Sequence, residues 1–108
     1  MAIPQIASMH DAIVGCGHFA VNVLTSTQEH LARRFAAEDG DRFSGVGFSR
    51  GAESVPLLDD ALATLECRRT STYDGGDHVI VVGEVESAKW SDEKPLIYYR
   101  GGYAGMER

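Results

Sequence analysis

The sequence has few of the residues that mark specialised classes of protein. Its two cysteines, Cys16 and Cys67, are far apart and form no CxxC pair, which argues against a disulfide framework and predicts two free thiols. No segment is apolar for long enough to span a membrane, and the first residues lack the basic and apolar regions of a signal peptide. We therefore expect a cytoplasmic protein without a membrane partner.

Positive charge is also scarce. Ten Lys and Arg residues stand against sixteen Asp and Glu residues, which gives a formal net charge of −6. The basic residues occur as scattered pairs, such as Arg33-Arg34 and Arg68-Arg69, and form no continuous stripe. Because nucleic-acid binding depends on the neutralisation of many phosphates, we expect no nucleic-acid partner. A local basic pocket for one small phosphate is compatible with this distribution.

Metal-binding and nucleotide-binding motifs are incomplete. The GCGHFA segment at 15–20 fits a dinucleotide fingerprint, but a strand is predicted where that fingerprint requires a helix. The DGDRFS segment at 39–44 begins like a calcium loop and then offers Phe43 in place of an oxygen ligand. The four histidines form no HxH or HExxH spacing. We therefore predict no metal site and no Rossmann domain.

What the sequence does contain predicts a strand-dominated fold with one or two short helices. The 108 residues, 44% of them hydrophobic, are typical of one globular domain, which we assign to 1–108. Ser26 and Glu29 form a capping-box pattern ahead of the clearest helix. The predicted elements are a short helix from Ser8, strands at 18–24, 61–69 and 78–90, a loop at 38–54, a turn segment at 70–77, and a last strand from Pro95 that stops at Gly101-Gly102.

Five segments, in this order along the chain, resemble the flavin reductase-like family: SMHDAIVGCGHFAVNVLTSTQEHLARRFA, DRFSGVGF, PLLDDALATLECR, GGDHVIVVGEV and PLIYYRGGY. The resemblance runs from about Ser8 to Tyr103. This family comprises small NAD(P)H-dependent reductases that supply reduced flavin to two-component monooxygenases. The resemblance implies a split β-barrel of the FMN-binding type with Greek-key connections. It also implies a homodimer that binds FMN or FAD near the subunit interface and takes hydride from NADH or NADPH.

The GDH element of that family is matched by Gly76, Asp77 and His78. In the family this element is associated with the nicotinamide side of the site. The resemblance therefore implies that His78 is the catalytic residue, holding the nicotinamide over the flavin. The alternative interpretation is a histidine that merely ends a turn. For Asp77 we expect a hydrogen bond to the backbone of the Gly-Gly turn.

Five further residues are candidates for cofactor binding. Ser8 matches the family near the flavin phosphate, and Tyr99 and Arg100 match its C-terminal element, where they would flank a dinucleotide. Arg33 shares a helix with Arg34 but points about 100° away from it, so at most one of the two is expected to face a phosphate. Asn22 lies in a predicted buried strand, so its side chain must form hydrogen bonds, either with backbone groups or with the flavin.

The resemblance also implies that part of the family's fold is missing. Family members usually have a further N-terminal part with a Thr/Ser-rich stretch that lines the flavin, so we expect a barrel shortened at its N-terminus. Open strand edges are avoided in natural proteins, and a homodimer is the simplest way to cover them. An alternative function is a degenerate split-barrel protein that keeps the dimeric fold without flavin binding or catalysis.

Overall fold

The computed structural model describes residues 2–4, 15–36, 45–99 and 102–105. Within these ranges the chain forms eight strands and one α-helix, so the mainly β fold with a short helix is confirmed. Of the helix expected from Ser8, only Gly15 lies within the described residues, and its backbone is α-helical. The elements are β1 (Ala2–Pro4), β2 (His18–Val23), α1 (Glu29–Ala36), β3 (Phe48–Arg50), a 3-10 turn (Ala52–Ser54), β4 (Pro56–Leu58), β5 (Ala63–Asp74), β6 (His78–Trp90), β7 (Leu96–Tyr99) and β8 (Gly102–Gly105).

The largest sheet is antiparallel and has the strand order β1-β6-β5-β2. Its two longest strands, β5 and β6, form a hairpin in which the pairing runs from Ala63 opposite Trp90 to Asp74 opposite Val79. Two register shifts interrupt this pairing, and such bulges increase the twist of a strand pair. β3 pairs with β4, and β7 pairs with β8, in two smaller antiparallel sheets.

The core lies on one face of the large sheet. Phe19 of β2, Cys67 of β5, and Val79 and Val81 of β6 are buried against one another. Gly83 completes this face, because a Cβ at that position would lie 2.6 Å from Phe19 Cζ. The absence of a side chain at Gly83 therefore lets the phenyl ring lie across β6.

The helix starts differently from the prediction. The bond typical of a capping box is found one residue earlier, where the Thr25 N–H donates to Gln28 Oε1 at 3.0 Å. The Gln28 amide also donates to Asp59 O at 2.9 Å, which ties the start of α1 to the segment after β4. Glu29 instead accepts from Arg33 Nη2 at 3.3 Å within the helix. In the described part of the chain, no helix has the length and apolar character needed to cross a membrane.

Three other predicted boundaries are corrected by strand pairing. The predicted loop at 38–54 contains β3, whose Phe48 pairs with Leu58 of β4. β5 continues to Asp74 through most of the segment that we predicted as a turn. The last predicted strand is a hairpin, in which the chain reverses after Tyr99 and β8 pairs back on β7.

Candidate functional site

The turn between β5 and β6 holds the GDH element in one conformation. The Gly75 N–H donates to His78 O at 2.8 Å and closes the turn. Gly76 has a φ of +82°, a value that side chains other than glycine rarely adopt. Asp74 Oδ1 accepts from the Gly76 N–H at 3.0 Å. Asp74 therefore makes a turn bond of the kind that we expected from Asp77.

Asp77 contacts the imidazole of its neighbour. Its Oδ1 lies 2.8 Å from His78 Nδ1, and the Asp77 side chain is 91% exposed while that of His78 is 42% exposed. The hydrogen bond from His78, together with the attraction of its charge, lowers the pKa of the Asp77 carboxyl below its ordinary value. Asp77 is therefore a carboxylate at neutral pH and acts on His78 as a hydrogen-bond acceptor.

His78 shares one face of the sheet with a group of exposed apolar side chains. Alternate residues of a strand point to the same face, and along β6 Val79 and Val81 are buried while Ile80 and Val82 are exposed. Tyr73 of β5 lies directly opposite Ile80 in the register and is 57% exposed. We call the side chains of Tyr73, Ile80 and Val82 the outer-face patch. The patch begins next to His78 and gives that end of the sheet an apolar surface.

Asn22 bonds to backbone groups of a neighbouring strand. Its Oδ1 accepts from the Leu58 N–H at 2.8 Å, and its Nδ2 donates to Pro56 O at 3.2 Å. We expected Asn22 to bond to either backbone or flavin, and the bonds that the structure describes are to backbone. The side chain thereby joins β2 of the large sheet to β4 of a small one.

Arg33 and the tyrosines of the last hairpin form a second cluster. The Arg33 guanidinium lies 5.2 Å from the centre of the Tyr103 ring, a cation–π distance. Tyr103 in turn packs at 5.2 Å against Tyr98, which lies opposite it in the register. Tyr99 ends β7. Ser8 and Arg100, which we also predicted as site residues, lie outside the described residues.

The elements that carry these two groups of predicted residues start at opposite ends of β6. His78 is the first residue of β6 and Trp90 is the last. Trp90 pairs with Ala63 of β5, and Ala63 pairs in turn with Val23 at the end of β2. The segment leading into α1 and the start of β7 meet at that second end, where the Leu96 N–H donates to Leu24 O at 3.0 Å. β6 has 13 residues, so its two ends lie far apart along the sheet. The structure thus brings Gly76, Asp77 and His78 together and places the entry to α1 and β7 at the opposite end of β6.

A separate cavity of about 280 Å³ lies beside the middle of the large sheet. The predicted site residues do not line it; its walls are His18, Ala52, Val55, Glu66, Cys67, Glu86 and Ser87. His18 Nε2 lies 3.4 Å from Glu86 Oε1. Burial, with a smaller effect of the Glu86 charge, raises the pKa of the Cys67 thiol, which keeps it a weak nucleophile. Among the described residues, no three His, Cys, Asp or Glu side chains are grouped so as to hold a metal ion.

Sequence reasoning found the turn but missed the surface beside it. Tyr73, Ile80 and Val82 were predicted only as parts of strands or turns. The signal was present, because residues 78, 80 and 82 alternate with the buried 79 and 81. Asp74 was also missed, although an aspartate two residues before a glycine is typical of an Asx turn.

Comparisons with known proteins agree on one family. The family model described as "Flavin reductase like domain" matches residues 1–107. The reductase subunit HsaB of a flavin-dependent monooxygenase from Mycobacterium tuberculosis is 36% identical over 106 residues, which are 95% of this chain and 57% of HsaB. The FMN reductase (NADH) SmoA from Agrobacterium fabrum is 37% identical over 102 residues, 94% of this chain and 58% of SmoA.

A solved structure extends this agreement to the fold. The Streptomyces globisporus NADH:FAD oxidoreductase SgcE6, in complex with NAD and FAD fragments, superposes with a TM-score of 0.94 at 35% identity, covering 99% of this chain and 66% of SgcE6. The split-barrel fold class expected from the sequence is thereby confirmed. The chain spans little more than half the length of the curated relatives HsaB and SmoA. The family match over nearly the whole chain shows that this protein belongs to the flavin reductase-like domain family.

Proposed function

We propose that the protein is an NAD(P)H-dependent flavin reductase that reduces FMN or FAD by hydride transfer. The observation that carries this proposal is the placement of His78 on the same sheet face as the outer-face patch, next to a turn of fixed geometry. The names of the relatives support it, since SmoA is an FMN reductase that uses NADH and SgcE6 is an NADH:FAD oxidoreductase. NADH is therefore the proposed donor, and NADPH is the competing donor to be tested.

The residues beside His78 fit a planar ring system. Tyr73, Ile80 and Val82 present apolar surface at 57%, 41% and 42% exposure, and such surface favours the packing of an aromatic cofactor. When bound, the flavin accepts the hydride, so no side chain needs to act as a nucleophile. The role proposed for His78 is to contact the nicotinamide and fix its orientation. Gly76 and Asp77 would keep His78 in place.

The remaining predicted contacts stay part of the proposal. Arg33, whose side chain is 64% exposed, would bind a cofactor phosphate while stacked on Tyr103. The Asn22 amide has two N–H groups, of which one donates to Pro56 O. The second would donate to the flavin. Tyr99 and Arg100 would flank a dinucleotide, and Ser8 would contact the flavin. Since Arg33 and Tyr99 belong to elements that start at the far end of β6 from His78, we propose that the two groups serve different parts of the cofactors or different subunits.

We further propose a homodimer. Beyond the three residues of β6 that pair with β1, no described strand lies on that side of β6. This edge carries Val85 and Trp90, which are 51% and 78% exposed. An open strand edge with large apolar side chains is a template for association. A second copy of the chain is the proposed occupant.

The proposed physiological partner is a flavin-dependent oxygenase component. HsaB is named as the reductase subunit of a monooxygenase, and such a subunit supplies reduced flavin to an oxygenase. We also propose a cytoplasmic location, because Cys16 and Cys67 are free and Cys16 is exposed, which suits a reducing compartment.

The deciding experiment is an assay of NADH oxidation by the purified protein with FMN and with FAD, repeated with NADPH. The test variant is His78→Ala, and the matched control is His30→Ala, an exposed histidine on α1. We expect His78→Ala to lose on the order of 100-fold in kcat/KM for NADH, with the melting temperature and the flavin Kd unchanged. His30→Ala should behave like the wild type.

Two results would count against this function. A wild-type protein that binds no flavin and oxidises no NADH would support the alternative of a degenerate split-barrel protein. A His78→Ala variant that melts early yet reduces flavin at the normal rate would make His78 a structural turn residue.

A further inference from the structure

We propose that Asp77 is a positioning residue that fixes the proton of the His78 imidazole on Nδ1, so that Nε2 acts as a hydrogen-bond acceptor toward the nicotinamide carboxamide. The proposal rests on the reductase function proposed above and goes beyond it, because it gives Asp77 a role through His78. This role is additional to the backbone bond that the sequence predicted for Asp77.

First, two hydrogen bonds of the turn are made without the Asp77 side chain. Asp74 Oδ1 caps the Gly76 N–H, and the Gly75 N–H closes the turn on His78 O. The Asp77 carboxylate contacts the imidazole, at 2.8 Å from Nδ1.

The second step is the chemistry of that contact. An ionised carboxylate only accepts hydrogen bonds, so the Nδ1 that it contacts must carry a proton. In the neutral ring the lone pair then lies on Nε2, which makes Nε2 an acceptor. The nicotinamide carboxamide offers N–H donors, and an Nε2 acceptor would select the orientation that presents them. The hydrogen bond from His78 lowers the pKa of the Asp77 carboxyl, so that it stays ionised and accepts a hydrogen bond from Nδ1–H.

The third step concerns the energy of the contact. Both side chains are exposed, and exposed ion pairs contribute little to folding stability. The consequence of the contact is therefore expected in the state of the imidazole and in nicotinamide binding. Melting temperature alone is not a suitable readout.

The direct test is ¹⁵N NMR of the histidine side chains in the ligand-free protein, which distinguishes the two neutral tautomers. The His78 signals are assigned by their loss in His78→Ala. We expect the Nδ1–H tautomer in the wild type and a shift toward the Nε2–H tautomer in Asp77→Ala. Asp77→Asn retains a neutral acceptor and should partly restore the wild-type spectrum. Asp74→Ala is the matched control, since it removes the turn bond and leaves Asp77 in place.

The kinetic test uses the same variants in the NADH assay. Asp77→Ala should raise the KM for NADH by roughly tenfold, since misorientation of a bound reactant costs rate or affinity, while the flavin Kd stays unchanged. If Asp77 acts only through His78, the double variant Asp77→Ala/His78→Ala should be no worse than His78→Ala. Asp74→Ala should raise the KM for NADH less than Asp77→Ala does, because the Asp77–His78 contact remains.

The two tests separate the proposal from the function on which it rests. An unchanged His78 tautomer in Asp77→Ala would overturn the positioning role even in an active reductase. Equal effects of Asp74→Ala and Asp77→Ala on KM would overturn it as well, because they would indicate a general loss of turn structure. A wild-type protein without reductase activity would overturn the proposed function and the role toward nicotinamide, whatever the tautomer.

Discussion

At the scale of single residues, Gly83 is the position where one added methyl group has the clearest consequence. A Cβ there would lie 2.6 Å from Phe19 Cζ and 3.2 Å from Cys67 Cβ, both within the core. We expect Gly83→Ala to lower the free energy of unfolding by about 1–3 kcal/mol, because a well-packed core has no room for it. Chemical denaturation followed by circular dichroism measures the change.

The control for this prediction is Gly17→Ala, since a Cβ at Gly17 meets nothing within 4 Å. Its effect should stay within about 0.5 kcal/mol. Phe19→Leu should relieve the crowding, so Gly83→Ala/Phe19→Leu should be less destabilised than the sum of the single variants. Strict additivity of the two substitutions would show that Phe19 is not what limits the space at Gly83.

Residue roles within the turn show where sequence reasoning stops. The Gly-Gly pair predicts a turn with a positive φ, and Gly76 has one. The sequence offers two aspartates to stabilise that turn, and it does not reveal which carboxylate faces the Gly76 N–H. That choice depends on where β5 ends, and pairing with β6 extends β5 to Asp74. The roles of Asp74 and Asp77 therefore follow from tertiary structure.

At the scale of elements, the side chain of Asn22 links two sheets. It bonds to the backbone of Leu58 and Pro56 at once. Asn22→Ala would leave the Leu58 N–H without its acceptor in a partly buried place. We expect a loss of about 1–3 kcal/mol in the free energy of unfolding, which is the usual cost of an unsatisfied buried group. Urea denaturation of the ligand-free protein checks this value.

Asn22→Asp is the informative second variant. It keeps an acceptor for Leu58 and replaces the donor toward Pro56 O with a carboxylate oxygen, so part of the loss should remain at neutral pH. The flavin Kd of stable variants tests the other proposed role of Asn22. An Asn22→Ala protein as stable as the wild type would contradict the role of this side chain in joining β2 to β4.

Elements differ in how well the sequence predicts them for physical reasons. β6 was predicted with its observed bounds, because the apolar run at 79–82 follows a Gly-Gly turn and the polar segment after Trp90 ends the strand. β3 has three residues and pairs with another three-residue strand. Because its neighbours are rich in Gly and Ser, the segment was predicted as a loop in spite of Phe48. The last hairpin was missed because the Gly101-Gly102 pair indicates an end equally well as a reversal.

At the scale of the whole molecule, the sheet edge and the placement of the site lead to the same expectation. The chain places the GDH turn at one end of β6 and leaves apolar side chains exposed along the strand up to Trp90. In a dimer, a second copy would cover this surface and could bring its own residues toward His78. The family resemblance of the sequence implies such an assembly. The open edge of β6, in contrast, is known only from the structure, in which β1 pairs with residues 78–80 of β6.

The last prediction tests this assembly with the single tryptophan of the chain. Trp90 ends β6 and is 78% exposed in the isolated chain. We expect sedimentation to show a dimer at micromolar concentration, and Trp90 emission to move to shorter wavelength as the concentration rises, because association removes the indole from water.

Val85→Lys should shift both measurements toward the monomer, since it places a charge on the proposed contact edge. His30→Lys, at an exposed position of α1, adds the same charge outside β6 and should leave the dimer intact. A folded wild-type monomer at micromolar concentration, with emission independent of concentration, would contradict the dimer.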